Sequence, residues 1–176
     1  AAGVSILLGG GLRRVTLLLR SLCSKVEPTV SLGSARVTYQ APVRDMQFLL
    51  NTAANFDAVR ATGAFDDLSD DFIEAILGEA GKFSNEVLAP LNWTSDQQGA
   101  RLENGKVFTT PGFKEAYGQY VEAGWNSVAF PEEWGGQNLP NSIALAVCEA
   151  MQGGCISFAM GTMLTTAAVK ALLTYG

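Results

Sequence analysis

Apolar residues recur every three or four positions through most of the chain beyond residue 41, which is the period of an amphipathic helix. The first such stretch opens at Pro42, which fits a first helical turn because its missing N–H is not needed there. The pattern therefore predicts a helix over about 42–56. Its apolar positions are Met46, Leu49, Leu50, Ala53 and Phe56.

A second helix is predicted from Ser69, a residue type that caps helix N-termini, to the helix breaker Pro90. Asp70 and Asp71 fall at the positive end of this helix dipole. We therefore interpret the acidic run over 66–71 as residues that stabilise the start of this helix rather than as a metal site. The apolar stripe of this helix is Phe72, Ile73, Ile76, Leu77, Ala80, Phe83, Val87 and Leu88.

Between residues 92 and 110 the pattern becomes polar and rich in turn residues. Asn104–Gly105 predicts a tight turn, and hence a small hairpin or ordered loop near 100–109. Thr110 is expected to cap a third helix with Pro111 at its first position, and Gly124 to end it.

The last third of the chain predicts two more helices. One runs over about 140–151 and is ended by Gly153–Gly154, and the other covers about 157–175. The fold class predicted from these patterns is all-α, a bundle of about five helices with one hairpin or loop.

Composition narrows the chemistry. The chain has 176 residues, 48% hydrophobic and 16% charged, which is typical of one globular domain. It contains no histidine, so histidine triads, imidazole bases and histidine metal sites are excluded. Its cysteines, Cys23, Cys148 and Cys155, form no CxxC pair, and we expect neither a zinc site nor a disulfide framework.

Charge is divided unevenly along the chain. Residues 1–44 carry a net charge of +5, and the rest carries −10. Because this acidic body repels phosphate backbones, we do not expect the chain to bind nucleic acid. In the basic head, Leu12–Leu22 places leucines on one helix face and arginines on the other, so residues 1–38 are interpreted as a mitochondrial transit-peptide-like leader. An ordinary surface helix, or an interfacial membrane anchor over 4–22, is the alternative interpretation.

The chain offers few candidate catalytic groups. Glu132–Glu133 are adjacent carboxylates in a loop, which normally point apart and stay solvated, so a general acid or base role is not favoured. The glycine runs at 9–11, 135–136 and 153–154 lack the Lys-Ser/Thr of a phosphate loop and follow no predicted strand. Dinucleotide binding of the Rossmann type is therefore not supported.

Four segments carry a resemblance to a known family. They are YQAPVRDMQFLL at 39–50, RLENGKV at 101–107, PGFKEAY at 111–117, and the segment from Gly124–Trp125 to FPEEWGG at 130–136. Together they resemble the N-terminal domain of the acyl-CoA dehydrogenase family, in the branch that includes methylmercaptopropionyl-CoA dehydrogenase. The resemblance covers about residues 39–176.

This resemblance implies an FAD-dependent enzyme. Members of the family take a proton and a hydride from the α and β carbons of an acyl-CoA and pass electrons to an electron-transfer flavoprotein. Their subunits combine a helical N-terminal domain, a β domain and a helical C-terminal domain, usually as homo-oligomers. We expect 39–176 to be the first of these alone, without the β and C-terminal domains. The family's catalytic glutamate and main flavin motif belong elsewhere, so no catalytic, FAD-binding or metal-binding residue is expected here.

The same resemblance assigns one wall of the acyl-tail cavity to the last helix. Phe158, Thr162 and Thr166 would face this cavity, and their spacing does place them on one helix face. Phe158 would make the pocket shallow and apolar, which favours short acyl groups. The alternative is structural: Phe158 belongs to the core, and the threonines bond their own preceding carbonyls.

Two hypotheses of function follow. The chain is the N-terminal part of an acyl-CoA dehydrogenase, or it is a truncated, non-catalytic relative that serves as a structural subunit of a mitochondrial respiratory assembly. In the second case other proteins would cover the apolar face that the missing domains leave bare.

Overall fold

The computed structural model describes residues 39–65 and 68–176. The predicted leader over 1–38, and residues 66–67 of the acidic run, lie outside this part of the chain. The described residues form an all-α bundle with one small hairpin, as predicted. Its elements in chain order are α1 Val43–Thr52, α2 Phe56–Arg60, α3 Asp70–Phe83, a π-helical turn Ser84–Leu88, α4 Ala89–Gln98, β1 Arg101–Glu103, β2 Lys106–Phe108, α5 Phe113–Glu122, 3-10 turns Trp125–Ser127 and Glu132–Trp134, α6 Asn141–Gly154 and α7 Ile156–Tyr175.

The first predicted helix is divided in two. Helix α1 ends at Thr52, and Asn55 adopts a left-handed conformation (φ 47°) that redirects the chain. Phe56 therefore begins α2, where its side chain is fully buried. The prediction of a continuous helix over 42–56 was wrong at its C-terminal end. Asn tolerates a positive φ, and the burial of Phe56 stabilises the turn.

The second predicted helix begins as expected but continues further. The Ser69 hydroxyl accepts a hydrogen bond from the Phe72 N–H (3.2 Å), which confirms the cap. Pro90 does not end the helix. It lies in the first turn of α4, directly after the π-helical turn Ser84–Leu88. A π turn widens the backbone, which relieves the clash that proline makes with the preceding turn of a regular helix.

The predicted hairpin is present. Strands β1 and β2 pair antiparallel, with Leu102 opposite Val107 and Glu103 opposite Lys106. Asn104 and Gly105 form the two-residue turn, both with positive φ (50° and 76°), as a type I′ turn requires.

Two predicted helix boundaries were wrong. Thr110 does not cap α5, which starts at Phe113 after Gly112 in a left-handed conformation (φ 90°). Gly153–Gly154 do not break α6 but form its last turn, and the helix ends where Cys155 becomes extended. A Cβ on Gly153 would overlap the Tyr39 ring, and one on Gly154 would lie 2.6 Å from Ser84 Oγ. These glycines allow α6 to pack closely against Tyr39 and Ser84.

The core consists of two adjoining clusters, and both draw on α3 and α6. The first joins α1, α2 and α3 to α6, with Met46, Leu50, Phe56, Ile73, Leu77, Ile143 and Ala150 among its members. The second joins α5, α6 and the start of α7, with Leu88, Ala116, Tyr120, Val147, Met151, Cys155 and Phe158 among its members. Helix α6 thus holds the bundle together and positions α7.

Helix α7 is unusual for its exposed apolar surface. Its 20 residues have a mean hydropathy of 1.5 in the most apolar window, of which 11% is buried. It is the one helix among the described residues that is long and apolar enough to cross a membrane. Length and composition alone do not separate a membrane span from a helix covered by other protein, so they assign neither role.

Candidate functional site

The residues singled out from the sequence lie on α7. Phe158 is buried against α5: its ring meets Phe113 edge-on at 5.6 Å between centroids, and Tyr120 at 5.9 Å. Such edge-to-face contacts fix the three rings relative to one another. Phe158 is therefore a core residue that also shapes the surface beside it.

The two threonines of the site bond within their own helix. Thr162 Oγ1 donates to the Ala159 carbonyl (2.9 Å), and Thr166 Oγ1 donates to the Thr162 carbonyl (3.2 Å). Both side chains are half-buried. Because their hydroxyl protons are already used, these threonines do not need a polar group from a ligand.

Helix α7 separates two concave surfaces. We name the first the α6–α7 cavity, of about 290 Å³, whose lining includes Val128, Ala144, Val147, Met151, Met163 and Lys170. We name the second the α5–α7 cleft, of about 620 Å³, whose lining includes Ser95, Thr110, Phe113, Lys114, Tyr117 and Gly161.

The predicted site residues are distributed over both surfaces. Thr162 lines the α6–α7 cavity and the α5–α7 cleft alike, whereas Phe158 lines only the cleft and Thr166 only the cavity. The structure thus brings Thr162 together with each of the other two, but it does not bring all three to one wall.

Two hydrogen-bonded pairs that the sequence did not single out as site residues line the α6–α7 cavity. The Cys148 thiol accepts a hydrogen bond from Gln152 Nε2 (3.2 Å), and burial raises its pKa. Lys170 Nζ donates to Asn141 Oδ1 (2.7 Å) at the cavity's edge. Their only signal in the sequence is helical spacing on α6 and α7, which also fits surface residues.

Tyr120 reaches the α6–α7 cavity from α5. Burial raises the pKa of its phenol. The phenol is therefore a neutral hydrogen-bonding group in the cavity wall.

Among the residues that the structure describes, carboxylates take no part in either surface: no described aspartate or glutamate lines the α6–α7 cavity or the α5–α7 cleft. Glu132 and Glu133 lie exposed in a 3-10 turn, and no cluster of three metal-ligating side chains occurs in residues 39–65 and 68–176. An apolar lining with a few hydroxyls and amines is suited to holding an apolar group, not to moving a proton.

Comparison with known proteins decides the family. Residues 71–176 match the family described as "Acyl-CoA dehydrogenase, N-terminal domain". The chain belongs to the acyl-CoA dehydrogenase family. It corresponds to the N-terminal domain, and the all-α architecture agrees with this assignment.

Two curated relatives show how much of such an enzyme the chain represents. It is 39% identical over 140 residues to 3-methylmercaptopropionyl-CoA dehydrogenase of Ruegeria pomeroyi, which covers 80% of this chain and 24% of that protein. It is 26% identical over 117 residues to the broad-specificity linear acyl-CoA dehydrogenase FadE5 of Mycobacterium tuberculosis, which covers 65% of this chain and 19% of that protein. The chain spans about a quarter or less of the length of these relatives.

Membership in this family implies FAD in the full-length proteins. The described residues that line the two surfaces offer few groups for a flavin dinucleotide. In the α5–α7 cleft, Lys114 is the one described cation that could meet a diphosphate, and no described carboxylate is present to bind a ribose. The described polar side chains of the α6–α7 cavity likewise include one cation, Lys170, and no carboxylate. We therefore assign no flavin contact to the described residues.

Proposed function

We propose that this chain is the N-terminal helical domain of a flavin-dependent acyl-CoA dehydrogenase, which oxidises the bond between the α and β carbons of an acyl-CoA thioester. The match of residues 71–176 to the family's N-terminal domain carries this proposal. FAD bound in the complete enzyme would supply the hydride acceptor, and we expect the residues that would hold FAD and take the proton to belong to other domains.

The contribution of this chain is one wall of the acyl-tail pocket, formed by α7. The apolar linings on both sides of α7 and the internally bonded hydroxyls of Thr162 and Thr166 support this role. Phe158 limits the depth of the α5–α7 cleft, so we propose a preference for short acyl groups.

Filling each surface in turn tests this role in the purified full-length protein. Gly161→Leu projects into the α5–α7 cleft, where an added Cβ meets nothing within 4 Å, and Thr166→Leu projects into the α6–α7 cavity. At least one should lower kcat/KM for the longest acyl-CoA accepted by roughly tenfold, with a smaller effect on short ones. The readout is reduction of an artificial electron acceptor over an acyl-CoA length series.

Thr165→Leu is the matched control, since Thr165 is exposed on α7 and lines neither surface. A chain-length profile unchanged in both filling variants would refute the wall on α7 while leaving the enzymatic proposal intact. A native protein that contains no flavin and oxidises no acyl-CoA would instead favour the structural-subunit hypothesis.

The cellular setting is part of the same proposal. The basic, amphipathic leader over 1–38 supports import into mitochondria, and the family resemblance supports an electron-transfer flavoprotein as acceptor and assembly as a homo-oligomer. Import of the native polypeptide into isolated mitochondria, compared with a variant lacking Arg13, Arg14 and Arg20, tests the location. Equal import of the two would contradict it.

A further inference from the structure

The hairpin β1–β2 carries an apolar surface that no other residue in the described part of the chain covers. Leu102 and Val107 lie opposite each other on one face, and their side chains are 73% and 70% exposed. A two-stranded hairpin without a packed face is marginally stable in water. Pairing with further strands at an edge would stabilise the hairpin.

The backbone of β1 offers a free pairing edge. In a hairpin with a two-residue turn, Glu103 and Lys106 exchange hydrogen bonds, so the N–H and C=O of Leu102 point away from β2. Within the described residues the sheet contains these two strands and no third. Leu102 therefore presents one donor and one acceptor at an edge that another strand can extend.

The charges of β1 are self-complementary. Arg101 and Glu103 lie on the same strand face, on either side of Leu102, and form an exposed ion pair of 3.4 Å within the strand. If a second β1 is aligned antiparallel with its Leu102 opposite the first, each Arg101 faces the Glu103 of the other copy. The edge of β2 lacks this property, because Lys106 would face Phe108.

We propose that β1 pairs with β1 of a second copy of this chain, about a two-fold axis at Leu102. The free N–H and C=O of Leu102 place the axis at this residue, and so do the opposite charges of Arg101 and Glu103. The product is a four-stranded sheet in the order β2, β1, β1, β2, with Val107 and Leu102 of both copies in one apolar row. This inference goes beyond the proposed enzymatic function and does not depend on it.

The size of this contact determines how it is measured. Three residues per strand bury far less than the roughly 800 Å² per partner of a standard interface. The hairpin therefore sets the register of two copies rather than supplying the main binding energy. A cross-link placed on the axis detects such a contact directly.

The first experiment uses Leu102→Cys in the full-length protein under mild oxidation. Paired residues on the axis have Cα atoms about 5.5 Å apart, within the range that a disulfide spans. Val107→Cys is the matched control: it is equally exposed on the same face, but its copies would lie roughly 14 Å apart across three strand spacings. We expect a disulfide-linked dimer from Leu102→Cys and not from Val107→Cys or the unsubstituted protein.

The second experiment tests the charge pairing in the Leu102→Cys background. Glu103→Arg and Arg101→Glu should each slow cross-linking by roughly fivefold, because like charges then face each other across the axis. The double exchange restores opposite pairs and should recover the original rate, although the arginine introduced at position 103 still faces Lys106 within the hairpin.

Several results would overturn the proposal. Equal cross-linking at 102 and 107 would indicate random collisions. No cross-link at 102 would mean that another part of the polypeptide, another protein or solvent occupies this edge. A double exchange that cross-links as slowly as the single substitutions would show that the charges do not meet across an axis.

Discussion

At residue 154 the bundle leaves no space for a side chain. A Cβ there would lie 2.6 Å from Ser84 Oγ and 2.9 Å from the Ser84 carbonyl oxygen, and the backbone cannot yield as a flexible side chain would. The Ser84 hydroxyl also donates to the Ala150 carbonyl across this contact. The glycine thus lets α6 and the π-helical turn approach closely.

Gly154→Ala should lower the free energy of unfolding by about 1–3 kcal/mol through this overlap. Gly161→Ala is the control on α7, where the added Cβ meets nothing within 4 Å, and it should raise stability by about 0.5–1 kcal/mol. Urea denaturation of the two variants measures both. Effects of the same sign would contradict the close contact at Gly154.

The burial of the Cys148 thiol predicts that the free energy of unfolding depends on pH. Burial raises its pKa above the ordinary value of 9.0, so the folded protein keeps this proton while the unfolded chain releases it. The free energy of unfolding should therefore fall as pH rises from 9 toward the folded-state pKa. Cys148→Ala should lessen that decline in denaturation curves between pH 7 and 10. An unchanged slope would show that the thiol titrates as it does in water.

The site residues show what spacing alone can predict. Phe158, Thr162 and Thr166 share a helix face by their i, i+4, i+8 spacing, and the structure keeps them on one stretch of α7. Spacing could not show that two surfaces flank this stretch, because that depends on α5 and α6, which are distant in sequence. Burial of Phe158 against α5 is likewise a tertiary fact.

Among the elements, α3 depends on a local signal that the sequence contains in full. Ser69→Ala removes the hydroxyl that accepts from the Phe72 N–H and should cost about 1 kcal/mol. Ser69→Asp should retain most of the stability, since a carboxylate also accepts this bond at the positive helix end. Thermal melts of the two variants test the cap. Equal losses would indicate that the cap contributes little.

The elements also show where sequence patterns fail. The cap at Ser69 and the Asn104–Gly105 turn were predictable because both rest on residues within one turn. The continuation past Pro90 was not, because a π-helical turn has no residue signature and is held by the tertiary contact of Ser84 with α6. Gly153–Gly154 likewise resembles a helix break until Tyr39 and Ser84 are seen against it.

For the whole molecule, we expect the exposed apolar surface of α7 to determine how residues 39–176 bind a hydrophobic dye and unfold. Ile156, Met160, Leu164 and Leu172 are each at least half exposed. Residues 39–176 produced alone should be mostly helical by circular dichroism, bind a hydrophobic dye and unfold at low temperature with weak cooperativity. Leu164→Lys with Leu172→Lys should reduce dye binding without loss of helix. A sharp transition at high temperature would contradict this expectation.

Helix α3, the π-helical turn and α4 follow one another without a break. The π-helical turn therefore fixes how α4 is rotated about its axis relative to α3. A π turn amounts to a single-residue insertion, and each residue of an α-helix turns the chain by about 100°. Deleting the exposed Glu86 would remove the inserted residue, rotate α4 by that angle and return Pro90 to a clash with the preceding turn. Ser95, which meets Ser157 at 2.9 Å, would swing away from the start of α7. The α5–α7 cleft exists in its present shape because of one inserted residue, more than a helical turn before the first residue of its lining.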